Sequence, residues 1–295
     1  MSLVSDALFS SSPNADAPIG VFDSGVGGLT VLREIRRLLP AEDLLYVADS
    51  AYAPYGDKPS AVIAARALAI TEFLLGQGAK AIVVACNTAT GAAVQLLRAH
   101  YPIPVIAMEP AIKPAVERTR SGVIGVLATR RTLESPNLAQ LVERFAGQSK
   151  ILLQPCPGLV ERIESGDLDG PATCALLEDY LEPLLAHCAD TLVLGCTHYP
   201  LLRPVIQALA GPQILILDSG AAVARQVQRR LSESGILAPA GRVGRELFWT
   251  SANPGQVRPL IAWIWGDAFE LGQWEAGAQL ESRWIGSGLA LEIPS

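Results

Sequence analysis

The stretch VLGCTHYP, Val193 to Pro200, puts a cysteine where an apolar run stops, with a threonine, a histidine and a proline close behind it. VVACNTAT, Val83 to Thr90, has the same layout, so the chemistry has to be explained for a pair, Cys86 and Cys196. The thiolate is the reactive form of cysteine. A following helix N-terminus, with its unpaired amides and partial positive charge, lowers the thiol pKa from its reference of about 8.5. A helix is expected to begin just after Cys86, and Pro200 marks a first helical position just after Cys196, so both thiols are expected to be partly ionised near neutral pH.

Four uses of such a pair can be compared. A nucleophile for acyl transfer needs one cysteine with a histidine in reach, and leaves the second copy without a purpose. A redox couple must touch, which leaves no room for a substrate. Metal binding has three soft ligands in Cys86, Cys196 and His198, with no acidic or second histidine ligand spaced beside them. The fourth use is two-base proton transfer: one thiolate takes a proton from a carbon and the opposed thiol returns one to the far face, which inverts a stereocentre.

The elements that must position these thiols alternate strand and helix. IGVF from Ile19, a DSGVGG turn and LTVLREIRRLL make one βα unit. LLYVAD, a Pro- and Gly-containing loop and AVIAARALAITEFLLGQG make a second. AIVVA leads through CNTAT into a third helix, followed by PVIAM. Fully apolar strands in this alternation predict a buried parallel sheet. The order then recurs: GVIGVLATRRTLESPNL echoes the first unit, TLVLGCTHYPLLRPVI the third, and ILILDSGAAVARQV echoes VIAMEPAIKPAV. Cys86 and Cys196 are 110 residues apart, as are Val105 and Leu215, which is a domain duplication rather than a solenoid period. Two similar α/β lobes would face each other across one cleft, with a cysteine at the carboxyl end of a strand on either wall.

Composition narrows the field. The chain of 295 residues carries 23 basic and 29 acidic side chains, net −6, with no Lys/Arg run to meet nucleic acid or an anionic membrane. Gly, Pro or charges interrupt every apolar stretch short of the ~18 residues of a spanning helix. Residues 1–18 lack a basic n-region and read as a disordered tail, which places the protein in the cytoplasm. The cysteine count is odd, 5, with no C-x-x-C pair, against disulfides and structural zinc. Cys174 and Cys188 fall on the apolar repeat of a helix started by Pro171 and are expected to be buried; Cys156, between two prolines, is read as structural. DSGVGG is not G-x-G-x-x-G, because position 30 is Thr, so no phosphate site is expected there. His100 and His187 fall near helix ends and are read as surface residues. All 5 tryptophans follow residue 248, and Trp274 and Trp284 are expected to pack on the body.

Together FDSGVGGLTV, YVADSAYAPYG, ACNTAT and LGCTHYPLL resemble the glutamate racemase family, from about Ile19 to Gly266. The resemblance implies two α/β lobes, no pyridoxal phosphate, no metal, a homodimer, and conversion of L- to D-glutamate for peptidoglycan. It assigns residues 19–114 and 219–267 to the first lobe, 115–218 to the second, and leaves 268–295 as an extension. It makes Cys86 and Cys196 the acid/base thiols, the first acting on D-glutamate. Asp23, Ser24, Tyr55, Gly56, Asn87, Thr88, Thr197 and His198 line the substrate, with Asp49 and Glu161 in support. Hydroxyls, amides and helix-terminal N–H groups suit a ligand with two carboxylates and an ammonium. The alternatives are an aspartate or other amino-acid racemase of the same superfamily, and a secondary protein-binding role as a gyrase inhibitor. Glutamate is preferred because aspartate racemases tend to carry Glu where this chain has His198. Opposite protonation of two coupled thiols predicts a bell-shaped pH profile, and the weak acidity of the α-proton predicts closure of the lobes around the substrate.

Overall fold

The computed structural model describes residues 14–275. Residues 1–13 and 276–295, Trp284 among them, lie outside the described residues. The end of the expected tail is already held, since the Ala17 N–H bonds Asn14 O at 3.1 Å and Lys80 Nζ donates to Ala15 O.

The first repeat runs β1 (Ile19–Asp23), α1 (Leu29–Leu38), β2 (Leu44–Ala48), α2 (Ser60–Gly76), β3 (Ala81–Val84), α3 (Asn87–His100), β4 (Val105–Ala107) and α4 (Ile112–Arg118). The second runs β5 (Val123–Ala128), α5 (Arg130–Leu133), α6 (Pro136–Phe145), β6 (Lys150–Pro155), α7 (Leu159–Glu164), α8 (Pro171–Ala186), β7 (Thr191–Leu194), α9 (Arg203–Ala210), β8 (Leu215–Leu217) and α10 (Gly220–Glu233). β9 (Glu246–Thr250), α11 (Pro254–Trp265) and β10 (Leu271–Gln273) follow.

Among the described residues the strands form two parallel sheets, ordered β10-β9-β2-β1-β3-β4 and β6-β5-β7-β8. Without β9 and β10, the first order is that of the second with each strand replaced by its repeat counterpart. The duplication is therefore present in the topology as well as in the sequence. β1 and β2 are buried along their whole length because helices cover both faces. Ile19 and Val21 point into one core, and Phe22 into the core on the other face.

The two lobes exchange their last helices. α4 follows β4 of the first sheet, yet Ile112 and Ala115 pack with Ile124, Val126 and Val193 of the second. α10 follows β8 of the second sheet, yet Val223, Ala224, Val227 and Leu231 pack in the first lobe beside Leu32 and Ile35 of α1. The crossing points meet, where Ser219 Oγ donates to Glu109 O across 110 positions of sequence, one repeat length. After α10 the chain stays with the first sheet, β9 pairing with β2 and β10 with β9. No described helix is long and apolar enough to cross a membrane.

One expectation about α8 does not hold. Its buried face runs through Thr173, Leu177, Leu181 and Leu184, so Cys174, one step off that line, is only partly buried. Cys188 lies past the helix end, exposed, with φ +61.

Because α10 belongs to the first lobe's core, Leu231→Ala, well away from the second sheet, is expected to lower the unfolding free energy by about 2–5 kcal/mol in urea denaturation. A loss of under about 1 kcal/mol, typical of a surface change, would contradict the exchange.

Candidate active site

The carboxyl ends of β1, β3, β5 and β7, the inner strands of each repeat, converge on one narrow pocket. Inner strands whose following helices diverge make such a crevice in an open α/β sheet. The pocket is lined by Ser24, Pro54, Tyr55, Gly56, Cys86, Asn87, Thr88, Thr129, Val160, Cys196, Thr197 and His198.

Cys86 is the N-cap of α3, with the Ala89 N–H 3.4 Å from its sulfur, and its thiol is 3.7 Å from Ser24 Oγ. Burial pushes this thiol well up, and the nearby Asp23 carboxylate pushes the same way. The helix terminus works against them and loses, because a thiolate sealed from water forfeits more solvation than one amide restores. The expected partial ionisation of Cys86 therefore does not hold. Cys196 differs in its setting. A short 3-10 turn, Tyr199–Leu202, follows it and α9 begins only at Arg203, so its basic neighbour is His198, with Nδ1 3.8 Å from the sulfur.

His198 is buried and reaches across the cleft. Its Nε2 lies 2.7 Å from Glu164 Oε1, and its Nδ1 lies 3.4 Å from Thr197 Oγ1 and 4.0 Å from Asp23 Oδ2. Burial alone would favour the neutral ring. The bonds to Cys196 and Glu164 and the charges of Cys196 and Asp23 outweigh it and raise the pKa well above the usual histidine value. The raised pKa favours an imidazolium that donates to Glu164, and the Gly27 N–H also lies 3.3 Å from the same nitrogen. Glu164 also accepts from the Val26 N–H at 2.7 Å.

The glycines of DSGVGG take their meaning from this docking. A Cβ on Gly25 would sit 1.9 Å from Glu164 Oε1, and one on Gly27 would sit 2.3 Å from His198 Nδ1. The turn is bare because side chains of the opposite lobe rest on it.

Asp23 is fully buried beneath the pocket rather than in its lining. It accepts from the Gly28 N–H at 2.7 Å, Thr197 Oγ1 at 3.3 Å and Ser24 Oγ at 3.4 Å. Burial raises its pKa, with His198 opposing. Thr88 Oγ1 lies 2.9 Å from Thr129 Oγ1 and 3.1 Å from Thr132 Oγ1, tying the lobes through hydroxyls. Both amide atoms of Asn87 are buried without a protein partner beside Cys86. Tyr55 gives its ring to the wall while its hydroxyl donates to Asp49, which Arg66 clamps from behind. Asp49 accordingly stands outside the lining.

Glu161 is exposed and lines an adjoining recess with Arg130, Pro157 and Val160, away from the sulfurs. The acid that reaches the site is Glu164, one turn further along α7. Both acids stand in LVERIE, and only the seating of α7 against the other lobe selects between them. Thr129 also escaped the sequence. Val21 pairs with Val83 and Val126 with Val193, so Thr129 is the repeat counterpart of Ser24 and Ala128 that of Asp23. The echo between VFDSGV and VLATRR carried that signal. Among the described residues no group of three or more His, Cys, Asp or Glu is arranged to hold a metal ion.

Residues 19–227 match the Asp/Glu/hydantoin racemase family. The chain belongs to this family. It is 54% identical over 258 residues to a glutamate racemase of Pseudomonas paraeruginosa, covering 87% of this chain and 97% of that protein. Among solved structures it is similar to a glutamate racemase isoform of Bacillus anthracis, with TM-score 0.81, 31% identity and coverage of 90% and 100%. It also resembles the Escherichia coli glutamate racemase in complex with L-glutamate and the activator UDP-MurNAc-Ala, with TM-score 0.77, 34% identity and coverage of 87% and 98%.

Two outcomes follow for this family member. A histidine whose folded pKa lies above its unfolded value of about 6.5 stabilises fully below that value, and the contribution fades as pH rises through the folded pKa. The unfolding free energy of the wild type relative to His198→Gln should therefore be largest near pH 6 and shrink toward pH 10; an advantage that grows with pH would contradict an imidazolium. Gly27→Ala should displace the His198 ring and lower kcat/KM by about 10²-fold, the scale of a 1 Å misplacement. Activity unchanged in Gly27→Ala would contradict the docking.

Proposed function

We propose that the chain interconverts L- and D-glutamate by proton transfer between the substrate α-carbon and two thiols, Cys86 and Cys196. The observation that carries this reading is that both sulfurs, free and unbridged, line one small pocket from equivalent ends of duplicated strands. Sequence relatives at 54% identity over nearly their whole length are glutamate racemases, and the Escherichia coli structure with L-glutamate supports the substrate.

The starting asymmetry follows from the two surroundings. Cys86, sealed from water beside Asp23, keeps its proton and is the acid. Cys196 stands against an imidazolium and is the base. The Cys196 thiolate takes the α-proton of L-glutamate, forming an S–H bond and leaving the C–H electron pair on the α-carbon. Cys86 then delivers its proton to the opposite face, giving D-glutamate and a Cys86 thiolate. The reverse direction starts from that second state, in agreement with the assignment of the first cysteine to D-glutamate.

The carbanion is the costly species. A pocket this small leaves little water, so hydrogen bonds to a developing enolate count for more than they would in solution. The unpartnered Asn87 amide, the hydroxyls of Ser24, Thr88 and Thr197, and the N-terminus of α3 are the groups placed to hold the carboxylates. The same reading has the chain in the cytoplasm as a homodimer, with D-glutamate going to peptidoglycan.

Incubation with L-glutamate in deuterium oxide, without added cofactor, should give D-glutamate carrying α-deuterium while the remaining L-glutamate is still protiated, with aspartate inert as the control. Cys86→Ser and Cys196→Ser should each lower turnover by about 10²–10⁴-fold, the range of a lost general acid or base. Turnover that requires pyridoxal phosphate, or that survives either substitution, would overturn the reading.

A further inference from the structure

Arg66 sits in a box whose walls come from distant parts of the chain. From α2 its Nε donates to Asp49 Oδ2 at 2.9 Å and its Nη2 to Oδ1 at 2.6 Å, a two-pronged grip on a fully buried carboxylate. Its guanidinium carbon lies 3.8 Å from the Tyr52 ring centroid and 4.7 Å from that of Trp274. Asp49 in turn accepts the hydroxyl of Tyr55, whose ring forms part of the pocket wall.

Trp274 is delivered by the last strand. β10 pairs with β9, the Trp274 N–H donates to Thr250 O at 2.8 Å, and the side chain is 4% exposed. Phe73 packs against it at 5.8 Å and against Trp249 at 5.3 Å. β10 can approach this closely because residue 272 is glycine, where a Cβ would sit 2.8 Å from the Trp249 ring.

We infer that Trp274 is a positioning residue for the reaction: by stacking on the Arg66 guanidinium it fixes the Arg66–Asp49–Tyr55 relay and so sets the Tyr55 wall of the pocket. A guanidinium with open faces is hydrated and swings among rotamers. With aromatic rings over its faces, it is solvated chiefly by acceptors in its own plane, and Asp49 is that acceptor. Asp49 Oδ2 serves both Arg66 Nε and the Tyr55 hydroxyl, so freedom at Arg66 passes directly to Tyr55. Trp274 stands outside the pocket lining, and its directional link to the Tyr55 wall runs through Arg66.

The inference rests on the reading of the pocket as a glutamate racemase site, and its test separates the two. Trp274→Leu keeps apolar bulk and removes the ring, Trp274→Met does so without branching, and Trp274→Phe restores a ring. Racemisation by the full chain is measured alongside hydrogen exchange of residues 52–58 in the absence of substrate. Leu or Met should lower kcat/KM by about tenfold, the scale of one desolvated cation–π contact, and speed exchange across 52–58, while Phe stays within about twofold of wild type. In an Arg66→Leu background the Leu substitution should add no further loss. Unchanged kcat/KM and exchange in the Leu or Met variant, or losses that multiply independently of Arg66, would overturn the inference. A wild type without turnover would sink the racemase reading instead, and the exchange measurement would still decide the coupling.

Discussion

A half-buried carboxylate, Glu164, grips the two lobes at once: it accepts from the Val26 N–H of the first and pairs with His198 Nε2 of the second. Charge pairs taken out of water are tolerated only when their remaining bonding capacity is met, and a half-satisfied version is worse than none. Much of the site follows from meeting that demand. The turn after β1 must lack side chains at Gly25 and Gly27, and the lobes must close far enough to bring the turn and the ring together. Closure leaves a narrow pocket with both thiols in its wall.

The same pair breaks the symmetry that duplication created. Two repeats with the same strand order deliver two cysteines to equivalent places, and identical surroundings would give them identical protonation. A racemase needs the opposite, one thiol holding a proton while the other lacks it. Asp23 in the first lobe faces Ala128 in the second at the equivalent register, and Thr88 answers to His198. The first thiol thus sits by a buried carboxyl and the second by a cation. The fold supplies two sulfurs in the wall of one pocket, and under the proposed mechanism the few positions where the copies differ set the direction of the first proton.

Much of this was legible before any coordinates. Apolar strands alternating with helices gave the parallel sheets, the spacing between the cysteine stretches gave the duplication, and the ends of those strands gave the two cysteines that line one pocket. What stayed hidden depends on how distant segments seat against each other. Nothing local in LVERIE tells Glu164 from Glu161, because each is an acid on a short helix and only the docking of α7 decides. The seating of α4 on the second sheet is equally silent, since an amphipathic helix records that it is covered and not by which sheet, and the return of α10 to the first lobe was expected only from the family resemblance. The Cys86 thiol misled for a related reason. Its helix N-terminus is visible in the sequence, whereas the burial that outweighs it belongs to the assembled pocket.

The most direct measurement of the central claim is the position of glutamate relative to the two sulfurs in a crystal of the complex. The account predicts one glutamate in the pocket, with Cys86 Sγ and Cys196 Sγ in contact with its α-carbon from opposite faces and the Asn87 amide bonded to a carboxylate. Both sulfurs on one face of that carbon, or glutamate seated elsewhere with the thiols out of reach, would contradict it.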